Sequence, residues 1–312
     1  MSELVRKLLP ILILLIIGYV VKRKNLFSES FIQGLKVLII KIALPAVLFD
    51  AFSTMELQVS YLLLFVLIFL YCIILYAIGY GLNRLFPRMF RWEKTKGYMT
   101  GFEFGMIGVG LFGAIWGMEH LWIIMLIAFG HELFIWFFYV LFVSKNNEET
   151  IRFSDTMKHF LKTPTILAIV FGVVTNLTGI RAMMEMNIFG QSILSAIEFL
   201  KPLTSPLILI IIGYTLSFRL TKLREIGIYL IARMLFVLGI GIIVLLLIKQ
   251  LVSGLDPLFT IAFYAFILLP APYILPLYIN DKEETEFFTQ LLLYSTIVSF
   301  VGYGILIVVN TV

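Results

Sequence analysis

The sequence predicts an all-α polytopic membrane protein whose fourth and ninth helices are interrupted. Three observations predict it. Of 312 residues, 61% are hydrophobic and 14% charged, and apolar runs long enough to cross a bilayer recur along the whole chain. Lys and Arg are concentrated in every second loop. Two clusters of helix-breaking residues fall at matching places in the two halves. A β-barrel is excluded, because its strands alternate over about ten residues and these runs do not.

Ten spans follow from the hydropathy pattern, at roughly 4–21, 31–52, 59–82, 97–117, 120–143, 163–180, 189–216, 226–251, 257–279 and 286–310. The loops after odd-numbered spans hold sixteen Lys and Arg residues; the opposite side holds Arg6, Lys7, Arg181 and Lys249. This asymmetry places the odd loops in the cytoplasm and both termini outside. Arg6 and Lys7 before an apolar run resemble a signal peptide. No small-residue cleavage site follows, however, and Lys22-Arg23-Lys24 closes the far end, so the run is read as the first span. The single cysteine, Cys72, cannot form an internal disulfide. No loop carries a nucleotide-binding, metal-ligating or nucleophile–base pattern, so enzyme chemistry, a cofactor and nucleic-acid binding are not expected.

The chain reads as one membrane domain in two halves, 1–143 and 163–312, joined by a cytoplasmic linker at 144–162. Pro45 in span 2 and Pro206 in span 7 sit at comparable points. Gly105 follows the first by sixty residues, and Pro270 the second by sixty-four. Each half holds five spans, an odd number, so the second half enters the membrane inverted.

In span 4, Gly105, Gly108, Gly110 and Gly113 fall within nine residues, just after Glu103. Glycine costs about 1 kcal/mol relative to alanine inside a helix, and a carboxylate at the bilayer centre roughly 2.5–3.5 kcal/mol on insertion scales. Close helix packing is one use of such glycines. A helix break facing a wet cavity is the other, and span 9 favours it. There Pro270, Pro272 and Pro276 remove three backbone donors within seven residues. Glu103 is read as a proton- or cation-binding carboxylate, or as a group that snorkels to an interface or makes a structural hydrogen bond.

His131 and Glu132 lie in mid-span 5, and Ser295 and Thr296 in the equivalent stretch of span 10. Neighbours on a helix differ by about 100° in direction, so only one of His131 and Glu132 faces a cavity. His131 is read as a wall residue and Glu132, like Glu103, as an ion-coupling carboxylate. Glu198 and Lys201 form an i, i+3 pair. Lys41 and Arg233 are lone cations within spans; either could meet an anionic substrate, and Arg233 could instead pair with a carboxylate of the other half. Asp50, near the outer end of span 2, is read as wetted, and Trp92, Trp116 and Trp122 as interface anchors.

The passage Gly18-Tyr19 through Lys22-Arg23-Lys24-Asn25-Leu26-Phe27-Ser28-Glu29, followed by Leu44-Pro45 and Phe49, resembles the auxin efflux carrier family of membrane transport proteins. Bacterial members of that family are usually labelled malate or malonate permeases. The resemblance implies a five-plus-five inverted repeat related to the bile-acid/sodium symporter fold, with broken helices 4 and 9 crossing at the substrate. It implies a dimer-forming scaffold from spans 1, 2, 6 and 7 and a moving body from spans 3–5 and 8–10. Family members often have asparagine where this chain has Glu103 and proline where it has Gly110, so auxin itself is not the expected substrate.

The expectation is therefore a plasma-membrane secondary carrier of a small organic anion, coupled to H+ or Na+. Its expected site comprises Glu103, Gly105, Gly108, Gly110, His131, Pro270, Ala271, Pro272, Tyr273 and Ser295. A channel and a ligand-binding membrane sensor are the alternatives.

Overall fold

A computed structural model describes residues 2–143, 162–215 and 222–311. The predicted linker, apart from Lys162, lies outside the described residues. The described residues form helices and their connections and contain no strand. Helix α1 is Ser2–Arg23. α2 runs from Glu29–Leu38 through a π-helical turn, Ile39–Ala43, into Leu44–Thr54. α3 is Tyr61–Leu85, α4 Thr95–Tyr98, α5 Phe104–Trp116 and α6 Met118–Val143. α7 is Pro164–Leu177, α8 Ile180–Met186, α9 Ile188–Thr215, α10 Leu223–Leu251 and α11 Phe259–Ile267. α12 is a single 3-10 turn, Leu275–Tyr278, and α13 is Lys282–Thr311.

Helix lies over each of the ten predicted stretches. Five helices among the described residues, α3, α6, α9, α10 and α13, are long and apolar enough to cross a bilayer. The pair α7 and α8, bent by 80° at its break, makes a sixth if counted as one. Gly179, at φ +72°, turns that corner, so the predicted outer loop after span 6 is largely helical.

Spans 4 and 9 are interrupted. Span 4 stops at Tyr98 and resumes at Phe104, and span 9 stops at Ile267 and resumes at Leu275. The first interruption is not where the glycine cluster placed it. Gly105, Gly108 and Gly110 lie inside α5, and the chain turns instead at Gly101, whose φ is +69°. A side chain there would also strike Pro272, since its Cβ would lie 2.7 Å from the ring Cγ. Gly110 serves packing: a Cβ on it would come within 2.7 Å of the Ile208 side chain.

By internal contacts the chain divides into two compact units that alternate along the sequence. The first unit takes residues 1–57, 105–125 and 158–216, and hence α1, α2, α5 from Gly105 onward, the start of α6 to Met125, and α7 to α9. Its helices touch backbone to backbone. A Cβ on Gly18 would lie 2.0 Å from the Ile210 carbonyl oxygen, and one on Gly213 2.1 Å from that of Leu15. These reciprocal glycines let α1 and α9 approach more closely than any side chain permits. The Asn176 amide donates to the Phe52 and Met55 carbonyls at 3.1 and 2.6 Å and closes the end of α2.

Asp50 is not wetted, as its position suggested. Its carboxylate accepts from Arg181 at 2.9 Å and from Lys201 at 2.6 Å, and each of the three side chains is only about one-sixth exposed. Lys201 also holds Glu198 at 2.6 Å, the predicted pair. Lys41 sits on the π-turn, exposed between exposed Ile40 and Ile42, an arrangement suited to snorkelling. Trp116, expected as an interface anchor, is buried against Phe112 with ring centroids 4.9 Å apart.

The second unit takes residues 58–104, 126–157 and 217–312, with α3, α4, α6 from Leu126 onward, and α10 to α13. The Tyr71 hydroxyl of α3 donates to the Val237 carbonyl of α10 at 2.8 Å. α6 rides close on α3 at Gly130, where a Cβ would meet the Phe65 carbonyl oxygen at 2.7 Å. Before α4, Lys94 is buried. Its Nζ donates to the Val143 carbonyl at 2.7 Å, and its backbone N–H to the Glu284 carboxylate at 2.9 Å. Burial holds the Lys94 ammonium below its usual pKa.

Candidate functional site

Both interruptions, residues 99–103 and 268–274, belong to the second unit. A broken helix frees amides and carbonyls that lipid cannot satisfy. At the first break, the Phe102 N–H donates to His131 Nε2 at 2.9 Å and the Glu103 N–H to the Pro270 carbonyl at 2.8 Å. The Tyr98 and Gly101 carbonyls accept from Arg233, the latter at 2.7 Å. At the second break, the Leu268 carbonyl accepts from Ser299 Oγ at 2.6 Å and the Leu269 carbonyl from Arg233 at 3.4 Å. The Tyr273 N–H donates to Glu103 Oε2 at 2.8 Å. These seven groups at the two interruptions are met by protein.

Glu103 is thus bonded to span 9 twice. Its amide donates to Pro270 and its carboxylate accepts from Tyr273, so one residue is tied to two points within the second break. Its side chain remains partly exposed.

His131 is 1% exposed. Because Nε2 accepts the Phe102 amide, the proton of the neutral ring resides on Nδ1. That nitrogen lies 3.6 Å from Glu132 Oε1 and has no hydrogen-bond partner among the described residues. Glu132 turns outward and accepts from Trp136 Nε1 at 3.2 Å. Of the two neighbours only His131 reaches the break, as the helical geometry required.

The wall from α13 is built of hydroxyls. Ser295 Oγ pairs with the Tyr98 hydroxyl at 2.8 Å, and Thr296 Oγ1 with the Tyr273 hydroxyl at 2.6 Å. Ser295, Thr296 and Ser299 are all buried. Ser295 and Ser299 are one turn apart on α13, a spacing visible in the sequence, and Ser299 was missed.

The structure therefore brings together Glu103, His131, Pro270, Pro272, Tyr273 and Ser295. Ala271 is fully buried between them in sequence. Gly105, Gly108 and Gly110 lie in α5, in the first unit. A Cβ added at Gly105 would meet nothing within 4 Å.

Arg233, a lone cation in the sequence, meets backbone carbonyls rather than a carboxylate of the other half. It is 4% exposed, and two of its nitrogens are spent on three backbone carbonyls. The guanidinium also lies over the Tyr98 and Phe102 rings, at 5.4 and 5.2 Å from their centroids. No group of three or more His, Cys, Asp or Glu suited to a metal occurs among the described residues.

Comparison with known proteins identifies one family: the Mem_trans model, described as membrane transport protein, matches residues 3–254. No curated protein matches the chain.

Proposed function

The chain belongs to the membrane transport protein family, and from that premise we propose that it is a secondary carrier of a small organic anion. A mono- or dicarboxylate such as malate or malonate fits best. The carrier spans the plasma membrane ten times as two inverted five-span repeats, with both termini outside, and works as a homodimer. Spans 3–5 and 8–10 form the moving body that gives alternating access.

The observation that carries this reading is the pair of hydrogen bonds from Glu103 to the second break, its amide to Pro270 and its carboxylate from Tyr273. Two interrupted helices held together by a partly exposed carboxylate form an arrangement that a permanently packed bundle has no use for. Each break ties to groups that a small anion or a proton can compete for. Glu103 and His131 offer the carboxylate and imidazole for a coupling proton.

The test is uptake of radiolabelled malate and malonate into proteoliposomes. The carrier reading expects saturable uptake, accelerated by unlabelled substrate on the far side. Uptake that neither saturates nor shows counterflow indicates a channel. Binding without uptake indicates a sensor.

A further inference from the structure

The ends of broken helices expose carbonyl oxygens, and carriers built on such helices use those oxygens to hold a coupling sodium ion. Here the same kind of oxygens are already taken. The carbonyls of Tyr98 and Gly101, from the first break, and of Leu269, from the second, converge on the guanidinium of Arg233. Among the described residues no carboxylate lies within ion-pair distance of Arg233, and its charge rests on carbonyl dipoles and two ring faces. A guanidinium keeps its charge at any physiological pH. A second cation could not bind these oxygens without displacing it.

We propose that Arg233 is the resident cation of the paired breaks, standing where a coupling sodium ion would otherwise sit, so that this protein needs no sodium there. The inference rests on the carrier reading for its meaning, but its physical content is a tethered cation on three carbonyls. Arg233 is a positioning residue in this account. It fixes the register of one break against the other, and Glu103 then reaches Pro270 and Tyr273. Removing its charge should leave a vacant cation site that a free ion can refill.

The test is the melting temperature of the full chain, purified in detergent, in choline, sodium or guanidinium chloride at equal low millimolar concentration. Because it needs no uptake, its failure is distinguishable from failure of the carrier reading. Wild type should melt alike in all three salts. Arg233→Ala should melt lower in choline and recover saturably with guanidinium, and to a smaller extent with sodium. A tenfold excess over the dissociation constant corresponds to about 3–6 °C. Arg233→Met, whose side chain fills the space, should recover with neither.

The charge is separated from mere hydrogen bonding by two further variants, informative even if the alanine protein does not survive purification. Arg233→Lys keeps the charge and should melt nearer to wild type than Arg233→Gln, which keeps a donor alone. A wild type stabilised saturably by sodium over choline overturns the proposal. So does an Arg233→Ala protein that ignores guanidinium, or a Lys variant no better than Gln.

Discussion

The carboxylate of Glu103 accepts the backbone N–H of Tyr273 at 2.8 Å, while the Glu103 amide donates to Pro270. The two residues belong to different broken helices, and the bond between them is set by chemistry that glutamine preserves and alanine does not. Glu103→Gln keeps a carbonyl oxygen for the Tyr273 amide and should melt close to wild type. Glu103→Ala leaves that amide unpaired at a cost of about 1–3 kcal/mol, and its melting temperature should fall accordingly.

Gly101 and Gly105 should respond in opposite ways to the same change. Gly101→Ala puts a methyl group at φ +69° and against the Pro272 ring. It should destabilise by about 1–3 kcal/mol. Gly105→Ala adds a methyl into open space within a helix, and should be neutral or stabilising by up to about 1 kcal/mol. If the space at Gly105 admits substrate, the second variant loses uptake while melting like wild type. Thermal melting and uptake on the same two preparations check both.

The placement of the first break shows what the sequence carries and what it does not. That spans 4 and 9 are interrupted is legible, because three prolines in seven residues cannot continue a helix and glycines cluster at the matching place. Which glycine turns the chain is not. Gly101 differs from Gly105 and Gly110 in its positive φ and in the Pro272 ring beside it, a contact across 171 positions. Arg233 was unreadable for a similar reason. Its partners are backbone carbonyls, which every residue has, so no residue type marks them. That only one of His131 and Glu132 could face the break was legible from helix geometry, and the one that does is His131. Its partner, a backbone N–H, again had no sequence signature. Asp50 was misread because Arg181 and Lys201 reach it from helices distant in sequence.

His131 supplies an acceptor to the Phe102 amide. Replacing it with phenylalanine fills the space but leaves that amide buried and unmet, with an expected loss of about 1–3 kcal/mol. His131→Asn offers a shorter acceptor and should fall between phenylalanine and wild type. Hydrogen exchange at the Phe102 amide should rise in the order wild type, Asn, Phe.

Lys94 gives a pH signature outside the spans. Burial holds its folded-state pKa below the ordinary 10.5. Between the folded and unfolded values the unfolded chain binds more protons, so stability rises with pH in that alkaline window and the penalty is present below it. Lys94→Met, which has no titrating group, should lack that rise. Melting temperatures of the two proteins measured from about pH 8 to 10.5 check the sign.

Counterflow of radiolabelled malonate in proteoliposomes, compared between wild type, Glu103→Gln and Glu103→Ala, puts the paired breaks themselves on trial. Wild type should show saturable, trans-accelerated exchange whose rate varies with pH. Glu103→Gln should exchange without that pH dependence, and Glu103→Ala should lose exchange while still inserting. Alanine protein that exchanges malonate as wild type does, with the same pH profile, would contradict the account.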